Sequence, residues 1–147
     1  MALVWRAFPD FPENVPFLGG DATNNPDLVK IAGKEAAAGF MFLSPPVPQD
    51  LDSKEAMAFM TAYKKKYNAE PGSVWAVLSG DGLRVVAEAI KATGATDQDK
   101  LVAYLKNDLD NFPGLTGQIS FNDKGDRVGD LYRVYKVSAD GKFMLQP

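Results

Sequence analysis

Val15-Pro16-Phe17-Leu18-Gly19-Gly20-Asp21-Ala22-Thr23-Asn24-Asn25-Pro26 is the stretch on which the fold reading turns. Val15 to Leu18 reads as a short buried strand closed by Gly19-Gly20. Asp21 to Asn25 is rich in capping residues. Asn25 as N-cap, with Pro26 in the first helical position, opens a short helix carrying Leu28, Val29, Ile31 and Ala32, which Gly33 ends. Beyond it, Gly39-Phe40-Met41-Phe42-Leu43-Ser44 is a continuous apolar run bounded by Gly and by Pro45-Pro46, the pattern of a strand covered on both faces. A strand, a helix and a second strand form a βαβ unit, so the fold class is α/β.

Towards the N-terminus the pattern breaks down. Leu3 to Arg6 has the composition of a short strand, but Pro9 and Pro12 prevent its continuation. Residues 1–14 are therefore read as an irregular segment and 15–147 as a single α/β domain.

Towards the C-terminus a polar loop, Val47 to Asp52, leads to a helix capped by Ser53 or Asp52. Its apolar residues Ala56, Met57, Phe59, Met60, Tyr63 and Tyr67 recur at three and four, and Lys64-Lys65-Lys66 sits near its C-terminal end, where cations suit the helix dipole. Val74 to Ala92 reads as one long core helix ending near Gly94, with Leu83, Val86, Ala87 and Ile90 on one stripe. Thr96 with Asp99 resembles a capping box for a third helix, whose inner face is Leu101, Val102 and Leu105. From Phe112 the period changes to two. Gly117 to Phe121, a turn at Asn122 to Asp126, the alternating Leu131 to Val137 and a turn at Ala139 to Lys142 predict a C-terminal antiparallel hairpin region.

The chain has 147 residues, the size of one domain or of a piece of something larger. Sixteen Lys and Arg against nineteen Asp and Glu give a net charge of −3. With no long basic run except Lys64-Lys65-Lys66, nucleic acid is not the expected partner. The chain has no Cys and no His, which excludes disulfides, thiolate metal sites, thiol nucleophiles and the commonest general base. No basic segment followed by an apolar one marks an export signal at the first residues. The longest uncharged apolar stretch, Ala36 to Pro48, is too short and too broken by proline to span a bilayer, so the chain reads as soluble.

Few constellations point to chemistry. Asp123, Asp126 and Asp130 around Gly125 miss the calcium-loop spacing, and Lys124 and Arg127 stand among them, so a polar hairpin turn is the reading and no metal is expected. Gly19-Gly20 and Gly80-Asp81-Gly82 lack the phosphate-binding pattern. Ser79 has no His partner for a hydrolase triad, and Asp108 and Asp110 read as solvent-facing. No catalytic residue and no cofactor are expected. Asp21 differs from these, because it follows a buried strand at its carboxyl end, where open α/β sheets place their ligand crevice. It is either an acceptor for a ligand ammonium or the start of an Asx turn leading into the helix.

Taken in order, several segments resemble the C-terminal part of type I periplasmic solute-binding proteins, in the branched-chain amino acid group that feeds ABC transporters. They are Val15 to Asp21, Leu28 to Gly33, Ala37 to Phe40, Ser53 to Tyr67 with Ala69-Glu70-Pro71, Gly80 to Ile90, and Leu115 to Arg127. Pro16-Phe17-Leu18-Gly19-Gly20-Asp21 and Gly117-Gln118-Ile119-Ser120-Phe121-Asn122-Asp123-Lys124-Gly125-Asp126-Arg127 are the most specific pieces.

The resemblance implies part of a Rossmann-like lobe from a two-lobed, non-enzymatic binding protein of the periplasm, working with an ABC-transporter permease in the membrane. It implies that Asp21 holds the amino group of an amino-acid-like ligand and that Trp75 is the nearest match to an aromatic ligand contact. The family segment that supplies donors to the ligand carboxylate has no counterpart here, so weak or absent binding is expected of the chain alone. Absent neighbours would leave sheet edges and apolar faces exposed around Phe40 to Ser44 and Gly117 to Val137, which predicts a homo-oligomer or swapped dimer. The alternative function is a truncated structural remnant that oligomerises and does not bind solute.

Overall fold

The computed structural model describes residues 17–147; the segment 1–14 read as irregular, and Val15 and Pro16 of the opening strand, lie outside the described residues. In chain order the elements are β1 (Leu18–Gly19), α1 (Asp27–Ala32), α2 (Lys34–Ala37), β2 (Met41–Ser44), α3 (Lys54–Tyr67), α4 (Val74–Thr93), α5 (Gln98–Asn107), β3 (Phe112–Gly114), β4 (Gly117–Ile119), β5 (Arg133–Val137) and β6 (Phe143–Leu145). Single 3₁₀ turns stand at Asp21–Thr23 and Pro48–Asp50. The chain divides into two compact units. One combines the described residues up to Val47 with Tyr132–Pro147, and the other is Pro48–Leu131.

The first unit is built on a four-stranded sheet of order β1-β2-β5-β6. β1 and β2 are parallel, with Leu18 opposite Met41, and α1 and α2 connect them, so the βαβ unit read from the sequence is present. The Asn25 carboxamide oxygen accepts from the Asp27 N–H at 2.9 Å. Pro26 thus stands one place before the first helical residue, and Gly33, at φ +85°, ends α1. β5 pairs antiparallel with β2, placing Tyr135 opposite Phe42, and β6 follows through the turn at Ser138 to Lys142.

The core of this unit gathers Leu28, Ala32, Ala37, Phe40, Phe42, Val47, Tyr135 and Val137. The Phe42 and Tyr135 rings stack at 5.5 Å, and Phe143 meets Phe42 edge-on at 4.9 Å. The buried Tyr135 hydroxyl accepts from the Val47 N–H at 3.0 Å, so neither polar group is orphaned. β2 alternates where the sequence predicts cover on both faces: Phe42 and Ser44 are buried, and Leu43 is 38% exposed. Helical residues Leu28, Ala32 and Ala37 pack on the Phe42 face; Leu18, Leu43 and Met144 stay exposed.

In the second unit the Ser53 hydroxyl accepts from the Ala56 N–H at 3.1 Å and caps α3 as expected. Asn68, in the left-handed region, ends the helix. Lys64 pairs with Glu70 at 2.8 Å and Lys66 lies over the Tyr67 ring, so these lysines form the solvated helix end the sequence suggests.

α4 runs as read and ends on Gly94 at φ +64°, but it buries the other stripe. Val74, Val77, Asp81, Val85 and Ala89 face inward, whereas Leu83, Val86 and Ile90 are exposed. The cause is Asp81. Its carboxylate accepts from the N–H groups of Leu115 and Thr116 and from the Thr116 hydroxyl, which ties that face of the helix to the β3–β4 turn. Around it Val85, Leu109 and Ile119 form a second core with Leu105, Phe112 and Phe121 against them.

α5 is capped by Asp97 rather than Thr96, because the Asp97 carboxylate reaches the Lys100 N–H at 3.1 Å. Of its expected inner face, Leu101 and Leu105 are half-buried and Val102 is exposed. The C-terminal β region divides between the units: β3 and β4 form their own two-stranded sheet, and β5 and β6 complete the sheet of the first unit. The β3–β4 turn is tight. A Cβ on Gly114 would lie 2.6 Å from Ile119 and 2.7 Å from the Gly117 carbonyl, so this position requires glycine.

Candidate functional site

The carboxyl end of β1 is shaped by contacts within its own turn. A Cβ on Gly19 would lie 2.7 Å from the Thr23 hydroxyl and 2.9 Å from the Phe40 ring, so only glycine lets the turn fold back so closely. The Gly20 carbonyl accepts from the Thr23 N–H at 3.1 Å and from the Thr23 hydroxyl, and the Asp21 carbonyl accepts from the Asn24 N–H at 2.9 Å. Asn24 is buried and donates from Nδ2 to the Ser44 hydroxyl at 2.7 Å; Ser44 in turn donates to the Pro45 carbonyl at 2.8 Å. The turn is thereby fastened to the end of β2, the strand parallel to β1.

On this anchored turn stands Asp21, half-buried. Its Oδ2 accepts from the Tyr132 hydroxyl at 3.0 Å. The hydrogen bond to Asp21 raises the Tyr132 phenol above its ordinary value of 10.0, with smaller contributions from burial and from the Asp21 charge. Tyr132 immediately precedes β5 and is the first residue of the segment that returns to this unit. The sequence reading placed it in an alternating strand and missed its hydrogen bond to Asp21. The partners are 111 residues apart, so no local signal connects them.

Trp75, the other expected ligand contact, belongs to the second unit, whereas Asp21 belongs to the first. Trp75 is the second residue of α4 and is 42% exposed; its carbonyl accepts from the Ser79 hydroxyl at 2.8 Å.

Other polar clusters among the described residues hold turns together. Arg127 donates to the Thr116 hydroxyl at 2.7 Å and to the Gln118 carbonyl at 2.9 Å, extending the Asp81 network, and burial lowers its guanidinium from the ordinary value against the opposing Asp81 charge. The Asn122 side chain accepts from the Lys124 and Asp126 N–H groups, which makes the acidic segment a hairpin turn. Asp110, read as solvent-facing, is exposed but accepts from the Ser120 hydroxyl at 2.8 Å. Among the described residues, no His, Cys, Asp and Glu side chains form a group of three or more suited to a metal, and no helix is long and apolar enough to cross a membrane.

The chain is similar to several known proteins. The chain is 26% identical over 138 residues to the Leu/Ile/Val-binding protein BraC3 of Rhizobium johnstonii, covering 93% of this chain and 36% of that protein. It is similar in structure to the leucine-binding protein LivK of Thermotoga maritima, at a TM-score of 0.85 and 27% identity, covering 99% of this chain and 40% of LivK. It is also similar to the branched-chain amino acid substrate-binding protein LivJ of Streptococcus pneumoniae, solved in complex with isoleucine, at a TM-score of 0.73 and 27% identity. That likeness covers 99% of this chain and 41% of LivJ, so the chain spans about two-fifths of the length of these relatives. The fold is that of part of a type I periplasmic binding protein. The profile described as periplasmic binding protein matches residues 2–142, nearly the whole sequence and both compact units, and the chain belongs to that family.

Proposed function

We propose that this chain is a non-enzymatic solute-binding module for amino acids or similar small polar ligands, acting in the periplasm as a component of an ABC-type uptake system with its membrane permease. The observation that carries the reading is Asp21. It stands on an anchored turn at the carboxyl end of a parallel strand and is partly open to solvent. Among the described residues its side-chain partner is a neutral hydroxyl rather than a cation, which leaves its charge for a ligand ammonium. Trp75, exposed on the first turn of α4, is proposed as a ligand contact from the family resemblance alone. The relatives named for leucine, isoleucine and valine support this ligand class. Calorimetric titration carried to high leucine concentration tests the reading: weak binding by the wild-type chain and none by Asp21→Asn, with an unchanged fold, is the expected result.

The second reading is a remnant that oligomerises without binding solute. Exposed Leu18, Leu43 and Met144 on the uncovered side of one sheet favour it, as does the exposed Leu83, Val86 and Ile90 stripe of α4. Native mass spectrometry separates the two. A dimer carrying the added mass of an amino acid supports the binding module working between copies. A bare oligomer supports the remnant, and a bare monomer removes the oligomer from both readings.

A further inference from the structure

We propose that Tyr132 is a positioning residue of the ligand site, holding the Asp21 carboxylate in the orientation that receives a primary ammonium group. This inference rests on the reading of Asp21 given above and adds a residue to it. The Tyr132 hydroxyl donates to Oδ2 of Asp21 at 3.0 Å. It comes from the residue directly before β5, a strand held on one side by β2 and on the other by β6, with Tyr135 and Val137 in the core. The donor therefore directly precedes a strand paired on both sides, while the acceptor is a half-buried side chain on the turn after β1.

Two consequences follow from the chemistry of the pair. A carboxylate already held in one orientation loses less freedom when the ligand arrives, so the fixed hydrogen bond improves binding without touching the ligand. A phenol also donates without carrying charge. Lys or Arg in the same place would neutralise Asp21 and compete with the ligand ammonium, whereas Tyr orients the anion and leaves its charge for the ligand. The neighbouring Arg133 donates from Nη1 to the Tyr132 carbonyl at 3.0 Å, which adds backbone restraint to the same residue.

The test uses the full chain with leucine, isoleucine and valine as probes, titrated calorimetrically against wild type, Tyr132→Phe and Asp21→Asn. Tyr132→Phe is expected to weaken binding by about 3- to 10-fold, the size of one lost hydrogen bond, with the thermal midpoint unchanged. Asp21→Asn is expected to abolish binding. Ring-carbon NMR supplies a readout that a merely structural residue would not move: the Tyr132 phenol titrates above 10.0 in wild type and moves down in Asp21→Asn, and ligand addition shifts its resonance. Wild-type affinity in Tyr132→Phe, or a Tyr132 resonance unmoved by saturating ligand, overturns the positioning role and leaves the Asp21 reading standing. Failure of the wild-type chain to bind any of the three amino acids overturns both.

Discussion

The Asp81 carboxylate accepts from Thr116 twice, from its N–H at 3.0 Å and from its hydroxyl at 2.6 Å, and this pairing joins the middle of α4 to the β3–β4 turn. Both residues are buried, so the groups have no water to fall back on. Replacing Asp81 by Asn turns one acceptor into an NH₂ facing donors. The expected loss is about 2–4 kcal/mol of stability, read by chemical denaturation, with a smaller loss for Thr116→Val. An Asp81→Asn chain as stable as wild type would show that this pairing does not hold the helix.

Two glycines flank Asp81 and predict opposite outcomes. A Cβ on Gly80 would lie 2.9 Å from Leu115 and 3.1 Å from Phe59, whereas nothing lies within 4 Å of one on Gly82. Both stand inside α4, where alanine is favoured over glycine by about 1 kcal/mol. Gly82→Ala should therefore raise the unfolding midpoint. Gly80→Ala should lower it, because crowding a packed site costs about 1–3 kcal/mol.

Tyr135→Phe removes the acceptor that pairs with the buried Val47 N–H while keeping the ring that stacks on Phe42. The unpaired amide should cost about 1–3 kcal/mol. Hydrogen exchange at the Val47 amide should accelerate, and protection equal to wild type would mean that another acceptor takes over.

The Asp140 carboxyl is lowered from 3.8 to about 2, chiefly by its hydrogen bond with Lys142 and next by that with Ser138. A depressed value means that the charged form is the one the fold favours. Its contribution is present above the unfolded value near 3.8 and is lost as pH falls through about 2. An NMR titration should place the midpoint near 2 in wild type, and Lys142→Ala should move it upward.

Most of the local structure was legible because its causes are local. Asn25 and Ser53 act within three residues of themselves, and Gly33 and Gly94 end their helices through their own positive φ. α5 marks the limit of that reasoning. Thr96 and Asp97 are both competent caps, and which one the chain uses depends on a register that tertiary packing sets.

The candidate site was half legible. Asp21 is readable as a candidate from its place after a short strand and Gly19-Gly20, although Leu18 of that strand is exposed rather than buried; its partner Tyr132 is not readable, since a hydrogen bond over 111 residues leaves no spacing to detect. α4 gives the clearest case of a choice left to the tertiary structure. Its sequence is apolar on two stripes, and a charge in the middle of one argues for burying the other. Burial of Asp81 becomes affordable only through donors on Leu115 and Thr116, 34 and 35 residues downstream. The sequence by itself determined the long helices and the βαβ core, because period, caps and turn residues act over a few positions, but not the short α2, β3 and β6. The tertiary structure alone decided which face of α4 is buried, which strands β5 joins and what holds Asp21, because each depends on polar groups meeting across long stretches of chain.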